Sequence, residues 1–275
     1  MNLDLFDTHC HIHEMVRRIT PVYDKWHSDN AERTPESVIE AAHEVGVNRM
    51  LCIGTSLADS EQAVGFVAGR EGLWTSIGIH PHEAALHLGL GIQKRFAALL
   101  EGSQKTKIVA IGECGLDYFY AHSPKEAQLQ ILKFQIELAL EHNLPLSFHV
   151  REAFDDFWPV FDNYQGAGLR GVLHSFTDTI DNLDQAMKRG LYIGVNGIAT
   201  FAKAPEQLAM YRAIPLNRLM LETDAPFLTP TPFRGRVCES KHVRVTAEFL
   251  AGLRQENLGE MVSATTANAR ALLNV

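Results

Sequence analysis

What most constrains this chain is a rhythm. Short apolar runs at 3–6, 49–54, 73–80, 108–111, 144–150, 171–176, 191–195 and 219–223 read as strands, and helical patterns fit between each pair. The helix starts are written in the residues. Thr34-Pro35 offers a cap followed by proline at the first helical position, Ser56 with Asp59 resembles a capping pair, and Ser123-Pro124-Lys125-Glu126 carries cap, proline and glutamate in order. Leu129, Leu132, Ile136 and Ala139 give the helix after Ser123 its apolar stripe, and Asn143 closes it. Eight strand–helix repeats in 275 residues predict an α/β fold of the (β/α)8 TIM barrel kind, a single domain over 1–275. An irregular stretch at 225–240 and a C-terminal extra helix near Leu258–Leu273 decorate it. The competing open doubly wound sheet usually has a Gly-rich turn after its first strand; this chain has His-Cys-His there.

Composition narrows the setting. A hydrophobic content of 46% supports one large core. No apolar stretch approaches the roughly 20 residues that cross a bilayer, and no basic-then-apolar signal opens the chain. Cys10, Cys52, Cys114 and Cys238 lie far apart without Cys-x-x-Cys spacing, so a reducing cytoplasm is the simplest location. The formal net charge of -8 repels nucleic acid unless bound cations or a local basic patch reverse the field.

The residues that carry chemistry sit at the carboxyl ends of the expected strands, where barrel enzymes build their sites. His9 and His11 end the first strand on one side of it, Glu113 the fourth, His149 the fifth, His174 the sixth and Asp224 the eighth. Taken singly, Glu113 is also a turn residue, His149 and His174 core histidines, and Asp224 a helix cap before Pro226. Their joint placement favours a metal site. Six nitrogen and oxygen ligands are too many for one tetrahedral ion and suit two divalent ions roughly 3.5 to 4 Å apart. In that arrangement Glu113 bridges, His9, His11 and Asp224 hold one ion, and His149 and His174 hold the other. Hydrolysis by a metal-activated water follows, with Asp224 as general base. Four histidines favour zinc, manganese or nickel by ligand softness.

Asp7-Thr8-His9-Cys10-His11, Ile79-His80-Pro81-His82, Gly112-Glu113-Cys114-Gly115-Leu116-Asp117-Tyr118, Leu173-His174-Ser175-Phe176-Thr177 and Leu221-Glu222-Thr223-Asp224-Ala225-Pro226 together resemble the TatD family of metal-dependent deoxyribonucleases, in the amidohydrolase superfamily. The resemblance spans the chain. It implies the barrel, a two-metal site on the same six residues, with magnesium among the candidate ions, and hydrolysis of DNA phosphodiesters, often from a 3′ end on single strands. DNA is then the substrate; no membrane contact and no obligate protein partner are expected. The metal chemistry alone equally suits a lactonase, amidase or phosphotriesterase, and a non-catalytic metal-binding scaffold is the third reading. Such small-molecule relatives often bridge their ions with a carbamylated lysine on strand four, where this chain presents Glu113.

Two departures from the family pattern stand out. Many members carry Arg-Gly-Lys-Arg-Asn-Glu-Pro after the eighth strand; here Arg234-Gly235-Arg236-Val237-Cys238-Glu239-Ser240 lacks the asparagine and the proline. The segment 12–33, with Arg17, Arg18, Tyr23, Lys25 and Trp26, is longer than an ordinary strand–helix connection and reads as irregular, partly lidding the site. Candidate substrate contacts are Arg151, two residues after His149, as a phosphate fork or a salt bridge to Glu152 or Asp155, and Arg234 and Arg236 for a DNA backbone. Tyr118, Phe119, Tyr23 and Trp26 are candidate base stackers or packing residues, and His80 and His82 hydrogen-bond a ligand or phosphate. Cys10 turns its sulfur away from the metals into the packing.

Overall fold

A computed structural model describes residues 3–17, 19–29, 31–89 and 91–275, so Arg18 lies outside the described residues. The strands are β1 Leu5–Cys10, β2 Val47–Cys52, β3 Leu73–Ile77, β4 Ile108–Asp117, β5 Leu146–Arg151, β6 Gly171–Leu173, β7 Tyr192–Val195 and β8 Leu219–Leu221. One sheet takes them in chain order. The helices are α1 Pro21–Trp26, α2 Pro35–Glu44, α3 Leu57–Val67, α4 Ala84–His87, α5 Ile92–Glu101, α6 Lys125–Glu141, α7 Phe154–Asp162, α8 Ile180–Lys188, α9 Pro205–Ala213, α10 Val243–Arg254 and α11 Leu258–Leu273. Strand–helix alternation in a parallel sheet, with α11 added at the carboxyl terminus, is the (β/α)8 barrel architecture.

Chain contacts divide the protein into two compact units. The first holds β1, β2, β7 and β8. β1 pairs in parallel with β2 from Leu5 opposite Val47 to Cys10 opposite Cys52, and β7 pairs with β8. β1 also meets the other end of the chain: Cys10 bridges in parallel to Ala225, and the Thr8 hydroxyl donates to the Leu221 carbonyl at 2.9 Å. The expected irregularity of 12–33 is replaced by a 3-10 turn at Ile12–Val16 and by α1, capped by Thr20 and opened by Pro21. Its Trp26 is fully buried and donates from Nε1 to the His11 carbonyl at 3.0 Å, so this indole is packing and has no face for a base.

The second unit holds β3 to β6. β4 runs in parallel beside both β3 and β5, and β5 beside β6. Two buried glutamines of α6, seven residues apart on one face, finish the strand tips. Gln135 accepts from the Ile79 amide at 2.7 Å and donates to the Ile79 carbonyl at 3.0 Å; Gln128 does the same for Asp117 at 2.8 and 3.0 Å. These side chains take the place of a neighbouring strand for backbone groups that burial would otherwise leave unpaired. Ser123 does not cap α6, whose cap position is Pro124; its hydroxyl donates to the His82 carbonyl and accepts from the Ala85 amide instead.

Candidate metal centre

In the first unit, backbone bonding sets the ligands. His9 lies within β1 and His11 one residue beyond it, and their imidazole Nε2 atoms are 3.6 and 3.3 Å from Asp224 Oδ1. Asp224 adopts a left-handed φ of 62°, three residues past β8, and its amide donates to the His9 carbonyl at 2.8 Å while the His11 amide donates to Ala225 at 2.8 Å. Beneath them sits Asp7, fully buried. Its two oxygens accept from the Thr223 amide at 2.9 Å and the Thr223 hydroxyl at 2.7 Å. Burial pushes the Asp7 carboxyl up to about 7, against the pull of those hydrogen bonds. Glu222 next door accepts from the Ser175 amide at 2.7 Å and the Asn196 side chain at 3.4 Å. The motif residues Asp7 and Glu222 are therefore fasteners of strand tips, a role that no local sequence signal announces because their partners are distant in the chain. Cys10 is buried, with its thiol against the Leu51 carbonyl at 3.4 Å.

In the second unit, carboxylates hold the imidazoles. Glu113 stands in the middle of β4, not at its end as the sequence suggests. Gly112 and Gly115 lie beyond the apolar run 108–111, yet they take φ of 140° and 151° inside a strand that continues to Asp117. A Cβ on Gly115 would fall 1.8 Å from the His149 carbonyl oxygen, so glycine alone lets β4 lie this close to β5. Glu113 Oε1 is 2.9 Å from His149 Nδ1, 3.5 Å from His80 Nε2 and 3.8 Å from His174 Nε2. Asp117 Oδ2 is 3.0 Å from both His149 Nε2 and His82 Nε2. Burial alone would lower the pKa of His149; the two carboxylates outweigh it and hold the group above its ordinary range. Burial pushes His80 well below that range. Asp117, which the motif contains without a local signal for a role, is the carboxylate that joins His149 and His82.

The substrate candidates scatter. Arg151 ends β5, exposed, its guanidinium 4.1 Å from the Phe119 ring centre and 4.9 Å from that of Tyr120; the alternative ion pair to Glu152 or Asp155 does not form. Tyr118 donates its hydroxyl to Asp156 at 2.8 Å with Lys125 over its ring, a tie within the protein. Arg234 lies on the Phe201 ring at 3.8 Å, Arg236 is exposed, and Tyr23 stacks on His27 at 4.0 Å.

The donor chemistry fits divalent ions. His80, Glu113 and His149 offer ligand atoms within 4.8 Å of one another, and the first unit sets two imidazoles against one carboxylate. Imidazole and carboxylate together suit zinc and manganese, and a second carboxylate behind a histidine, as Asp117 stands behind His149, is the usual way a ligand ring is oriented.

The chain is similar to known proteins over nearly its whole length. The profile of the family described as TatD related DNase matches residues 6–274. An uncharacterized metal-dependent hydrolase, YabD of Bacillus subtilis, is 33% identical over 271 residues, 98% of this chain and 99% of that protein. The 3'-5' ssDNA/RNA exonuclease TatD of Erwinia tasmaniensis is 34% identical over 87% of this chain and 93% of its own. Among solved structures, YJJV, a TatD homolog from Escherichia coli, superimposes with a TM-score of 0.85 at 25% identity, covering 100% of both chains. Among the described residues no helix is long and apolar enough to cross a membrane. With its motifs, its eight-stranded sheet and its relatives pointing the same way, the chain belongs to the TatD family of metal-dependent hydrolases, within the amidohydrolase superfamily.

Proposed function

We propose that this protein is a deoxyribonuclease that hydrolyses DNA phosphodiester bonds, working from the 3′ end of single strands, as a single domain in the cytoplasm. The observation that carries the reading is the pairing of each imidazole set with a carboxylate, Asp224 in one and Glu113 in the other. In the proposal His9, His11 and Asp224 would hold one divalent ion in the first unit, and Glu113, His149 and His174 would hold one in the second; zinc, manganese and magnesium are the candidate ions. When bound, such ions lower the pKa of water toward 7 and stabilise charge on the attacking and leaving oxygens. The chain's own part is positioning and proton transfer. Asp224, held at its amide by His9, accepts the proton of the attacking water, a contribution of roughly 10²- to 10⁴-fold. His80 lies beside Glu113, where a neutral ring orients that carboxylate or donates to a phosphate oxygen.

The substrate assignment is supported by the relative named a 3'-5' ssDNA/RNA exonuclease and by the absence of any lysine in β4, the strand that carries the carbamylated bridge of many lactonases and phosphotriesterases. A substrate panel tests it. Single-stranded DNA with free and blocked 3′ ends, RNA, lactones and amides are offered to protein loaded in turn with manganese, magnesium and zinc. Cleavage of free 3′ ends is expected; turnover of lactones without DNA cleavage would refute it. Elemental analysis of protein purified without chelator is expected to find about two ions per chain, the count at which two-metal hydrolases act.

A further inference from the structure

The rim beside His149 carries a feature that a buried metal set does not need. Phe119 and Tyr120 are each 51% exposed, edge to face at 4.8 Å, directly after β4. The Arg151 guanidinium spans both rings, and among the described residues no carboxylate pairs with it. Tyr120 stacks parallel to His122 at 5.8 Å, and His82 packs edge-on against His122 at 4.5 Å and Tyr120 at 5.6 Å. A cation–π contact this exposed contributes only about 0.5–1 kcal/mol to the fold, while large exposed aromatics cost solubility.

The group is also indexed to the centre. Asp117 Oδ1 accepts from the Phe119 amide at 3.0 Å and the Tyr120 amide at 2.9 Å, while its other oxygen holds His149 and His82. The Tyr118 amide donates to the Arg151 carbonyl at 3.0 Å, and Arg151 shares a side of β5 with His149. One carboxylate therefore fixes both the metal-facing imidazole and the turn that presents the rings.

We infer that Phe119, Tyr120 and Arg151 form a nucleotide platform, on which the rings stack one base of a single strand and the guanidinium binds the adjoining phosphate. This deepens the nuclease reading and rests on it. Exposed ring surface is complementary to a nucleobase in an unpaired strand, whereas a duplex keeps its bases stacked internally. A guanidinium without a protein counter-ion is complementary to a phosphodiester, and it supplies the local positive charge that a chain of net charge -8 lacks overall.

Fluorescence anisotropy on chelator-treated protein, and kcat/KM on manganese-loaded protein, are measured with single-stranded oligonucleotides carrying normal or abasic terminal residues. Phe119→Ala and Tyr120→Ala are expected to weaken binding of the normal strand about tenfold while the preference for normal over abasic ends collapses, and Phe119→Trp is expected to restore it. Arg151→Ala should weaken both strands alike and reduce the slope of log affinity against log salt by about one, with Arg151→Lys keeping the slope. The three positions are exposed, and thermal melts should superimpose on wild type. An active enzyme whose alanine variants keep the wild-type preference for normal over abasic ends would overturn the platform. Loss of binding to normal and abasic strands alike in Phe119→Ala would overturn it too. A wild-type protein that cleaves no DNA would overturn the nuclease reading instead, so the two failures are separable.

Discussion

The two ligand sets are built by different means. At the tips of β1 and β8, the backbone does the positioning: amides of His11 and Asp224 reach across to the carbonyls of Ala225 and His9, and the buried Asp7 clamps Thr223 below. At the tips of β4 and β5, side chains hold side chains, with His149 between Glu113 and Asp117 and glycines admitting the strands to close approach. The first set is rigid because its main chain is tied. The second is rigid because its charges are compensated, and it remains open to tuning by any residue that shares those carboxylates. Imidazoles and carboxylates are thus positioned once by strand registry and once by a hydrogen-bonded network.

Four predictions bear on this contrast, in falling order of expected effect. Asp224→Asn and Glu113→Gln, one in each set, should each reduce turnover by about a thousandfold, the several kcal/mol that charge stabilisation and proton transfer contribute. Melting curves should stay near wild type; an active Asp224→Asn enzyme would remove the general base from the scheme. Gly115→Ala should destabilise the protein by about 3 kcal/mol, since its Cβ would meet the His149 carbonyl and its φ is left-handed, whereas Gly65→Ala on α3, with nothing within 4 Å, should be neutral or stabilising. Equal denaturant midpoints for the two variants would mean that β4 and β5 are not held by close approach.

The third concerns His242 in the first unit. Its Nδ1 accepts from the Glu239 amide at 3.0 Å, its ring stacks on Phe233, and burial lowers its pKa to about 4. The unfolded chain binds this proton at about 6.5, so below that pH the unfolded state gains protons that the folded state refuses. Stability should therefore fall as pH drops from about 6.5 to about 4, by at most about 3 kcal/mol, and His242→Gln should flatten that limb. A Gln variant with an unchanged pH profile of Tm would assign the acid sensitivity elsewhere. Smallest is Asp117→Asn, which should weaken metal binding at the β4/β5 set by roughly 10- to 100-fold, the usual cost of losing an orienting partner. Isothermal titration distinguishes a loss confined to one class of ion from loss of both; the latter would show that the sets are not built independently.

Much of this was legible in residue order. Thr34 and Ser56 cap their helices as the sequence indicates, and each strand starts within two residues of its apolar run. The misreadings share a cause. Residues 112–115 fall outside the apolar run 108–111 because glycines interrupt it, but close approach of Gly112 to Ser147 and of Gly115 to His149 lets the strand continue to Asp117. Thr20-Pro21 is the same start signal as Thr34-Pro35, yet α1 is only six residues long, too short to show a periodicity. Asp7, Asp117, Gln128 and Gln135 hold backbone or rings contributed by other segments, and no local pattern names such partners.

The clamp between Asp7 and Thr223 joins residues 216 positions apart. At ribosomal speeds of about 5–20 residues per second, the amino-terminal imidazoles wait roughly 10 to 40 s for the carboxylate that completes their set. Through that interval β1 has β2 to pair with and nothing on its other edge. The order of synthesis therefore makes assembly of the β1/β8 set a late, high-contact-order event, and under the proposed function the growing chain gains no complete hydrolytic centre before its last strand has been made.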